Sequence, residues 1–344
     1  MTFWRRLIDE SLLASIFSEF PLWALLAVIA LVIALLSKGA GWLIDGAVSL
    51  ALKTRLPKIV IGATILSLGT TAPEAFVSVM AAFMGSPGLA LGNGVGSIIA
   101  DTGLIFGLTA VVAAPPINKW ILNRTSSWQL GSAVLLVILA SSAYLLLPDG
   151  PTLSRLVGLL LVALLVIYLI MTYIWARNGA HTGLETEKNE KPKFLPIILL
   201  QFIGSLIMVI IASRLLVPAA VETARRFGVP NDVIAATMIA LGTSLPELST
   251  AIAAIRKGHP ELTVGNIVGA DVLNILFVIG VSALAAPLAV PNNFFLLHFP
   301  AMLLILISFR IFISISAGGR FHRWQGAWLL MIYACYIVLQ YTMG

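Results

Sequence analysis

Along the 344-residue chain, long apolar runs are separated by short polar breaks. A helix needs about 20 apolar residues to cross a bilayer core of roughly 30 Å. The pattern predicts spans at 22–52, 58–83, 89–113, 127–148 and 153–175, then at 194–224, 231–255, 262–286, 294–316 and 325–343. Ahead of the first span, FWRRLIDESLLASIFSEF (3–20) mixes charged and apolar positions, as a helix lying along a membrane surface does. A short solvated tail is the alternative reading of that segment. The stretch 177–193, with its ETEKNEKPK, reads as a solvated linker. The expected fold class is an all-α polytopic membrane protein with ten transmembrane helices.

Composition narrows this further. The chain is 59% hydrophobic and only 10% charged, with a mean hydropathy of +1.02, whereas soluble domains carry roughly a quarter charged residues. A pI near 9.6 raises nucleic acid as a partner, but the basic residues are scattered over loops between spans, and topology explains them better. Fourteen of the 21 Lys and Arg residues fall on one side of the ten spans, six on the other, and Lys38 lies within a span. The positive-inside rule puts the richer side in the cytoplasm. Both termini are then extracytoplasmic, the linker is cytoplasmic, and the expected location is the inner or plasma membrane. Lys38 and Asp45, seven apart on one face of the first span, read as a neutralising structural pair or as near-interface charges, with a part in gating as the alternative. Six tryptophans, Trp23, Trp42, Trp120, Trp128, Trp324 and Trp328, read as interfacial anchors.

The strongest signal is internal. Shifted by 173 residues, PKIVIGATILSLGTTAPE (57–74) falls on PNDVIAATMIALGTSLPE (230–247), and GSPGLALGNGVGSIIAD (85–101) on GHPELTVGNIVGADVLN (258–274). Between 57 and 107, 19 of 51 positions are identical without a gap, among them prolines, glycines and a carboxylate that shared apolar composition would not align. The halves are 1–176, with a repeat over 57–111, and 194–344, with a repeat over 230–284, joined by 177–193. Each half holds five spans, an odd number, so the second copy enters the membrane from the opposite side. Inverted repeats of this kind characterise secondary transporters, whose sites lie near the midplane between the copies.

LGTTAPE and LGTSLPE lie inside otherwise apolar spans. Pro73 and Pro246 lack an N–H, so the carbonyls of Gly69 and Gly242 lose their helical partner, and a free carbonyl in lipid costs several kcal/mol unless something satisfies it. Broken helices at the midplane are therefore expected, and a bound cation would satisfy the freed oxygens. Hydroxyls of Thr70, Thr71, Thr243 and Ser244 add to them. Glu74 and Glu247 follow directly, and a carboxylate at a span centre costs at least about 2.5–3.5 kcal/mol. The next span of each copy supplies Asp101 and Asn274. Three carboxylates and one amide, without adjacent His or Cys, suit a hard cation. Calcium accepts 6–8 oxygens in forgiving geometry, while zinc or copper would favour imidazole or thiolate. The histidines, His181, His259, His298 and His322, map to the linker, loops and span ends, and the single Cys335 excludes an internal disulfide.

The paired GTTAPE/GTSLPE and GNGVGS/GNIVGA motifs resemble the two repeats of the sodium/calcium exchanger family, within the cation/calcium antiporter superfamily. The resemblance implies a ten-helix antiporter exchanging Na+ for Ca2+, with both ions as substrates and no cofactor. By motif position, Glu74 and Glu247 would be central calcium ligands. Thr70, Thr71, Ser97, Thr243 and Ser244 would line sodium sites, with the carbonyls of Ser67 and Ala240 nearby. The first helices of each half, 22–52 and 194–224, would slide against a fixed core.

Two departures stand out. The family's usual order places the amide in the first repeat and the carboxylate in the second, and Asp101 and Asn274 reverse it. Ala270 stands where Ser97 stands in the first copy, and Asp271 is additional, aligned with Ile98. Two readings of Asp271 are open: it reaches the same cavity, or it pairs with a basic residue outside it. Three carboxylates are neutralised by three Na+, or by one Ca2+ and a proton, so a Ca2+/H+ antiporter using the same acidic site is the alternative. The hydroxyl-rich breaks favour sodium. An intramembrane hydrolase would need a nucleophile–base pair or a metal motif such as HExxH, and neither is present in the sequence. A passive channel would not require the repeat symmetry.

Overall fold

A computed structural model of the chain describes residues 10–146, 150–179, 194–228, 242 and 244–343. Apart from two-residue strands it is helical. A short helix α1 (Glu10–Glu19) precedes α2 (Leu22–Thr54), α3 (Lys58–Phe83), α4 (Pro87–Ala113), α5 (Lys119–Leu146) and α6 (Arg155–Gly179). After these come α7 (Leu195–Arg226), α8 (Leu245–Arg256), α9 (Pro260–Ala285), α10 (Phe294–Ile315) and α11 (Arg323–Met343). Among the described residues, eight helices are long and apolar enough to cross a membrane, namely α2 to α7, α9 and α10. The span expected at 231–255 is represented by α8, its earlier part lying outside the described residues. The last expected span is α11, which has 21 residues.

Local chemistry sets many boundaries. Pro87 and Pro260 occupy equivalent positions in the two repeats and open α4 and α9 at the first helical residue, where the missing N–H would have no partner anyway. The expected start of the fourth span at 127 is corrected to Lys119. The Asn118 side chain accepts a hydrogen bond from the Ile121 N–H at 3.2 Å and caps the helix. Arg124, which had marked a loop, lies over the Trp120 ring at 3.4 Å. Trp128 packs against the buried Tyr168 at 5.7 Å rather than anchoring an interface.

The midplane break is also corrected for the first repeat. Ser67–Phe83 runs as α-helix straight through Pro73, and the departure from α geometry comes earlier, as a π-helical stretch over Gly62–Leu66. In the second repeat, Ser244 has non-helical φ/ψ of −89° and 12°, and α8 starts behind it with Pro246 in its first turn. Two further π-helical stretches, Ile99–Phe106 in α4 and Asn274–Ile279 in α9, end at equivalent points of the repeat. Such stretches recur at functional sites.

α2 and α7 pack along each other around Leu43, Ile44, Phe202 and Val209, in a cluster that also takes in Ile61 and Leu66 of α3, Ala253 and Ala254 of α8 and Leu262 of α9. The larger core surrounds α4 and α9 and extends into α5, α6, α10 and α11. Close approach of α3 and α9 depends on glycine. A Cβ at Gly62 would lie 2.6 Å from the Leu262 carbonyl, one at Gly269 would lie 2.6 Å from the Ala63 carbonyl, and one at Gly265 would strike the Ile59 carbonyl. Loops close both ends of the bundle. At one end β1 (Thr152–Leu153) pairs antiparallel with β2 (Leu288–Ala289). At the other end of α5, the Ile117 N–H donates to the Gly319 carbonyl at 2.7 Å and Pro116 bridges Arg320. Large apolar side chains such as Trp23, Leu31, Leu145, Leu156 and Leu200 cover the outside, as expected of surfaces facing lipid.

The expected Lys38–Asp45 pair does not form. Lys38 lies over the Trp42 ring at 5.2 Å, and Asp45 binds Lys257 at 2.6 Å across to the loop after α8.

Candidate functional site

Four helices bring the acidic residues together. α3 contributes Ser67, Thr70, Thr71 and Glu74, and α4 contributes Ser97 and Asp101. Ser244 and Glu247 come from the start of α8, and Asp271 and Asn274 come from α9. All ten are buried, at most 3% exposed. Thr243 and Ala240 lie outside the described residues.

Among the described residues, most of their polar atoms have no hydrogen-bond partner. This holds for both carboxylate oxygens of Glu74, Glu247 Oε2, Asp101 Oδ1, Asp271 Oδ1, Asn274 Oδ1, and the hydroxyls of Thr71, Ser97 and Ser244. A buried polar group left unmatched costs about 1–3 kcal/mol, more when charged. Concentration of so many in one place is uncommon in a purely structural core. Thr70 differs: its hydroxyl donates to the Ser67 carbonyl at 3.3 Å and to Asn266 Oδ1 at 3.4 Å. The Ser67 carbonyl thus already serves Thr70. Asn93 Nδ2 donates to the Glu74 carbonyl at 3.2 Å and to Ser78 Oγ at 2.9 Å, fixing α4 against α3 beside the carboxylate.

Glu74 interacts electrostatically with Glu247, Asp101 and Arg214, and Asp101 with Glu247 and Asp271. Among the described residues, no three Asp, Glu, His or Cys side chains converge to metal-holding distance. Like charges in a dry site repel, so closing to coordination distance requires a cation between them.

Glu74 and Ser97 face a cavity of about 780 Å³ that also meets Asn93, Arg214 and His298. Two of these were placed elsewhere by sequence reasoning. Arg214, counted with the loop charges, lies inside α7, and His298, assigned to a span end, sits on the cavity wall bonded to the Tyr336 hydroxyl at 2.9 Å. Asp271 satisfies neither of its two readings in full. It does not line this cavity, and no basic side chain pairs with it among the described residues. Its Oδ2 accepts from Gln129 Nε2 at 2.6 Å and from the Thr102 hydroxyl. Thr102 and Gln129 escaped the sequence reading. A lone amide and hydroxyl inside apolar spans were the available signals.

A polytopic helical bundle whose buried oxygens cluster on paired, repeated helices has the build of a multi-pass membrane cation carrier. The family model for the sodium/calcium exchanger protein matches residues 24–174 and 197–342, and the chain belongs to that family of membrane exchangers. Inner membrane protein YrbG of Escherichia coli is 35% identical over 262 residues, which are 74% of this chain and 78% of its own. Sodium/calcium exchanger MaX1 of Methanosarcina acetivorans is 28% identical over 337 residues, 88% of this chain and 95% of its own. A solved structure of the sodium-calcium exchanger NCX_Mj, soaked with 2.5 mM Na+ and 10 mM Sr2+, superposes with a TM-score of 0.77 at 26% identity, covering 92% of this chain and 99% of that one.

Proposed function

We propose that this chain exchanges Na+ for Ca2+ across the inner membrane by alternating access. In this reading ten spans form two inverted halves, 1–176 and 194–344, with the linker 177–193 in the cytoplasm and both termini outside. The observation that carries it is the cluster of buried, unpartnered oxygens on Glu74, Asp101, Glu247 and Asn274, bordered by the hydroxyls of Thr71, Ser97 and Ser244. These oxygens suit calcium at the acidic centre and sodium at the hydroxyl margins, where Thr70, Thr243 and the Ser67 and Ala240 carbonyls would add to the set. Relatives named as sodium/calcium exchangers, and NCX_Mj structures soaked with Na+ and with Ca2+ or Sr2+, support the choice of ions. The name of YrbG supports the membrane.

The cavity reaches from Glu74 to Met84, Gly88 and Asn293, residues that the positive-inside rule assigns to the extracytoplasmic side. The conformation is accordingly outward-facing. On the opposite side Lys257 holds Asp45 of α2, and Lys58 lies 3.0 Å from His259 Nδ1 and 3.6 Å from Glu261. Sliding of the α2–α7 pair over the larger core would exchange the open side. Ions neutralise the acidic centre, and a neutral centre crosses the apolar barrier at lower cost.

The test is Ca2+ flux into proteoliposomes under an imposed Na+ gradient, beside a matched pH gradient, for wild type and Glu247→Gln. Na+-driven flux that disappears in the variant is expected. Flux driven only by the pH gradient would make the chain a Ca2+/H+ antiporter.

A further inference from the structure

Asp271 has no place among the ligands carried over by motif, yet it is fully buried and its partners are neutral. Thr102 and Gln129 both donate to Oδ2, and Gln129 Nε2 also reaches the Thr102 hydroxyl at 3.3 Å. Among the described residues Oδ1 has no partner, and neither does Oδ1 of Asp101, the carboxylate with which Asp271 interacts. Two like charges thus carry one unmatched oxygen each, and Gln129 ties Asp271 to α5. A buried carboxylate without a compensating charge costs several kcal/mol.

The repeat provides an internal control. The 173-residue offset carries Thr102 to Ile275 and Asp271 to Ile98, and, continued into α10, Gln129 to Met302. All three counterparts are fully buried apolar residues. The fold therefore packs the equivalent place on the other side of the pseudo-twofold with no polar group at all. Hydrophobic residues in place of a buried ionic group are often neutral or stabilising, so packing alone gives no reason for the polar triad. A ligand does.

We propose that Asp271, held by Thr102 and Gln129, forms with Asp101 a further cation site that takes a sodium ion. Oδ1 of each aspartate would bind the ion, while Thr102 and Gln129 fix the other Asp271 oxygen. Two carboxylate oxygens beside an amide donor suit a small monovalent ion better than Ca2+, which collects 6–8 oxygens. The site stands one residue beyond Ala270, where the second repeat lacks the hydroxyl that Ser97 supplies to the first. It rests on the sodium reading above and adds one Na+ to what the acidic centre binds.

Thermal unfolding of purified protein, titrated separately with Na+ and Ca2+, tests this without transport. In Asp271→Asn, half-saturating Na+ should rise about tenfold, equal to about 1.4 kcal/mol, and the Hill coefficient for Na+ should fall by about one. Half-saturating Ca2+ should change less than about threefold. The triple variant Asp271→Ile with Thr102→Ile and Gln129→Met copies the apolar counterpart. It should be as stable as wild type without Na+ while showing the same loss of Na+ response. Thr102→Val carries the measurement if either variant does not fold, with a smaller rise in the same direction. Superimposable Na+ curves would overturn the proposal, as would equal losses for Na+ and Ca2+, which would place Asp271 in the divalent site. A wild type without any Na+ response would overturn the sodium reading itself.

Discussion

The α4 and α9 helices are the same element written twice, and they differ where the chemistry is. At four aligned positions the first copy has Ser97, Ile98, Asp101 and Thr102, and the second has Ala270, Asp271, Asn274 and Ile275. At these four positions each copy keeps one carboxylate, but three residues apart, and three of the four are polar in one copy and apolar in the other. The glycines and helix-opening prolines that fix the backbone are shared. Backbone geometry is thus held by both copies, while the candidate ligand positions differ between them. A duplicated fold can accordingly carry an asymmetric site.

The sharpest break of this comparison is to move the carboxylate across the repeat. Asp101→Asn removes one partner from a buried charged cluster, a change that costs about 2–5 kcal/mol and therefore lowers Ca2+ affinity by roughly 30-fold or more. Adding Asn274→Asp returns the carboxylate at the equivalent place in the other copy. If the copies are interchangeable in their ligands, the double variant recovers most of the affinity. Isothermal titration with Ca2+ reads both steps. A double variant as weak as Asp101→Asn would mean that the side of the site, and not only the carboxylate number, matters.

Glycine is the next test, because it concerns the backbone that the copies share. Gly265→Ala would drive a methyl into the Ile59 carbonyl of α3, and backbone cannot yield as a flexible side chain can. Overpacking of this kind costs typically 1–3 kcal/mol. The expected result is a lowered unfolding temperature in detergent with Na+ and Ca2+ both absent. An unchanged temperature would mean that α3 and α9 are free to part at this point.

The parts of the molecule that were legible in the sequence are those where chemistry contradicts its surroundings. Glu74 and Glu247 stand out because nothing apolar explains a carboxylate in a span, and the repeat made each the witness of the other. The tight α3–α9 crossing was readable only as conserved spacing of Gly92, Gly96, Gly265 and Gly269 between the copies. Other features left no such mark. A π-helical stretch depends on backbone hydrogen-bond choices that Ile99–Phe106 and Asn274–Ile279 do not spell out in composition. Pro73 was misread as a break because a proline removes one hydrogen bond without ending a helix whose neighbours hold it in place. Arg214, His298 and Gln129 are single polar letters without a repeat mate of the same type, so symmetry could not raise them above the background.

The smallest expected effect belongs to the pair that the sequence had assigned differently. Asp45 of α2 binds Lys257 of the larger core at 2.6 Å, and their side chains are 44% and 34% exposed. Exposed pairs of this type contribute under about 1 kcal/mol, so Asp45→Asn should leave the unfolding temperature nearly unchanged. Under the proposed alternating access its effect should fall on the balance between the two faces, because the bond joins α2 to the loop after α8, away from the cavity. Under the 173-residue offset, Asp45 corresponds to Pro218 and Lys257 to Met84, both on the wall of the cavity. The ion pair therefore has no counterpart to close the other face, and losing it should favour the inward-open state. A cysteine-reactive probe at Gly41→Cys, in a Cys335→Ser background, would report the change as faster labelling from the cytoplasmic side. Equal labelling with and without Asp45 would reduce the pair to a surface contact. Slower labelling would mean that it belongs to the open form.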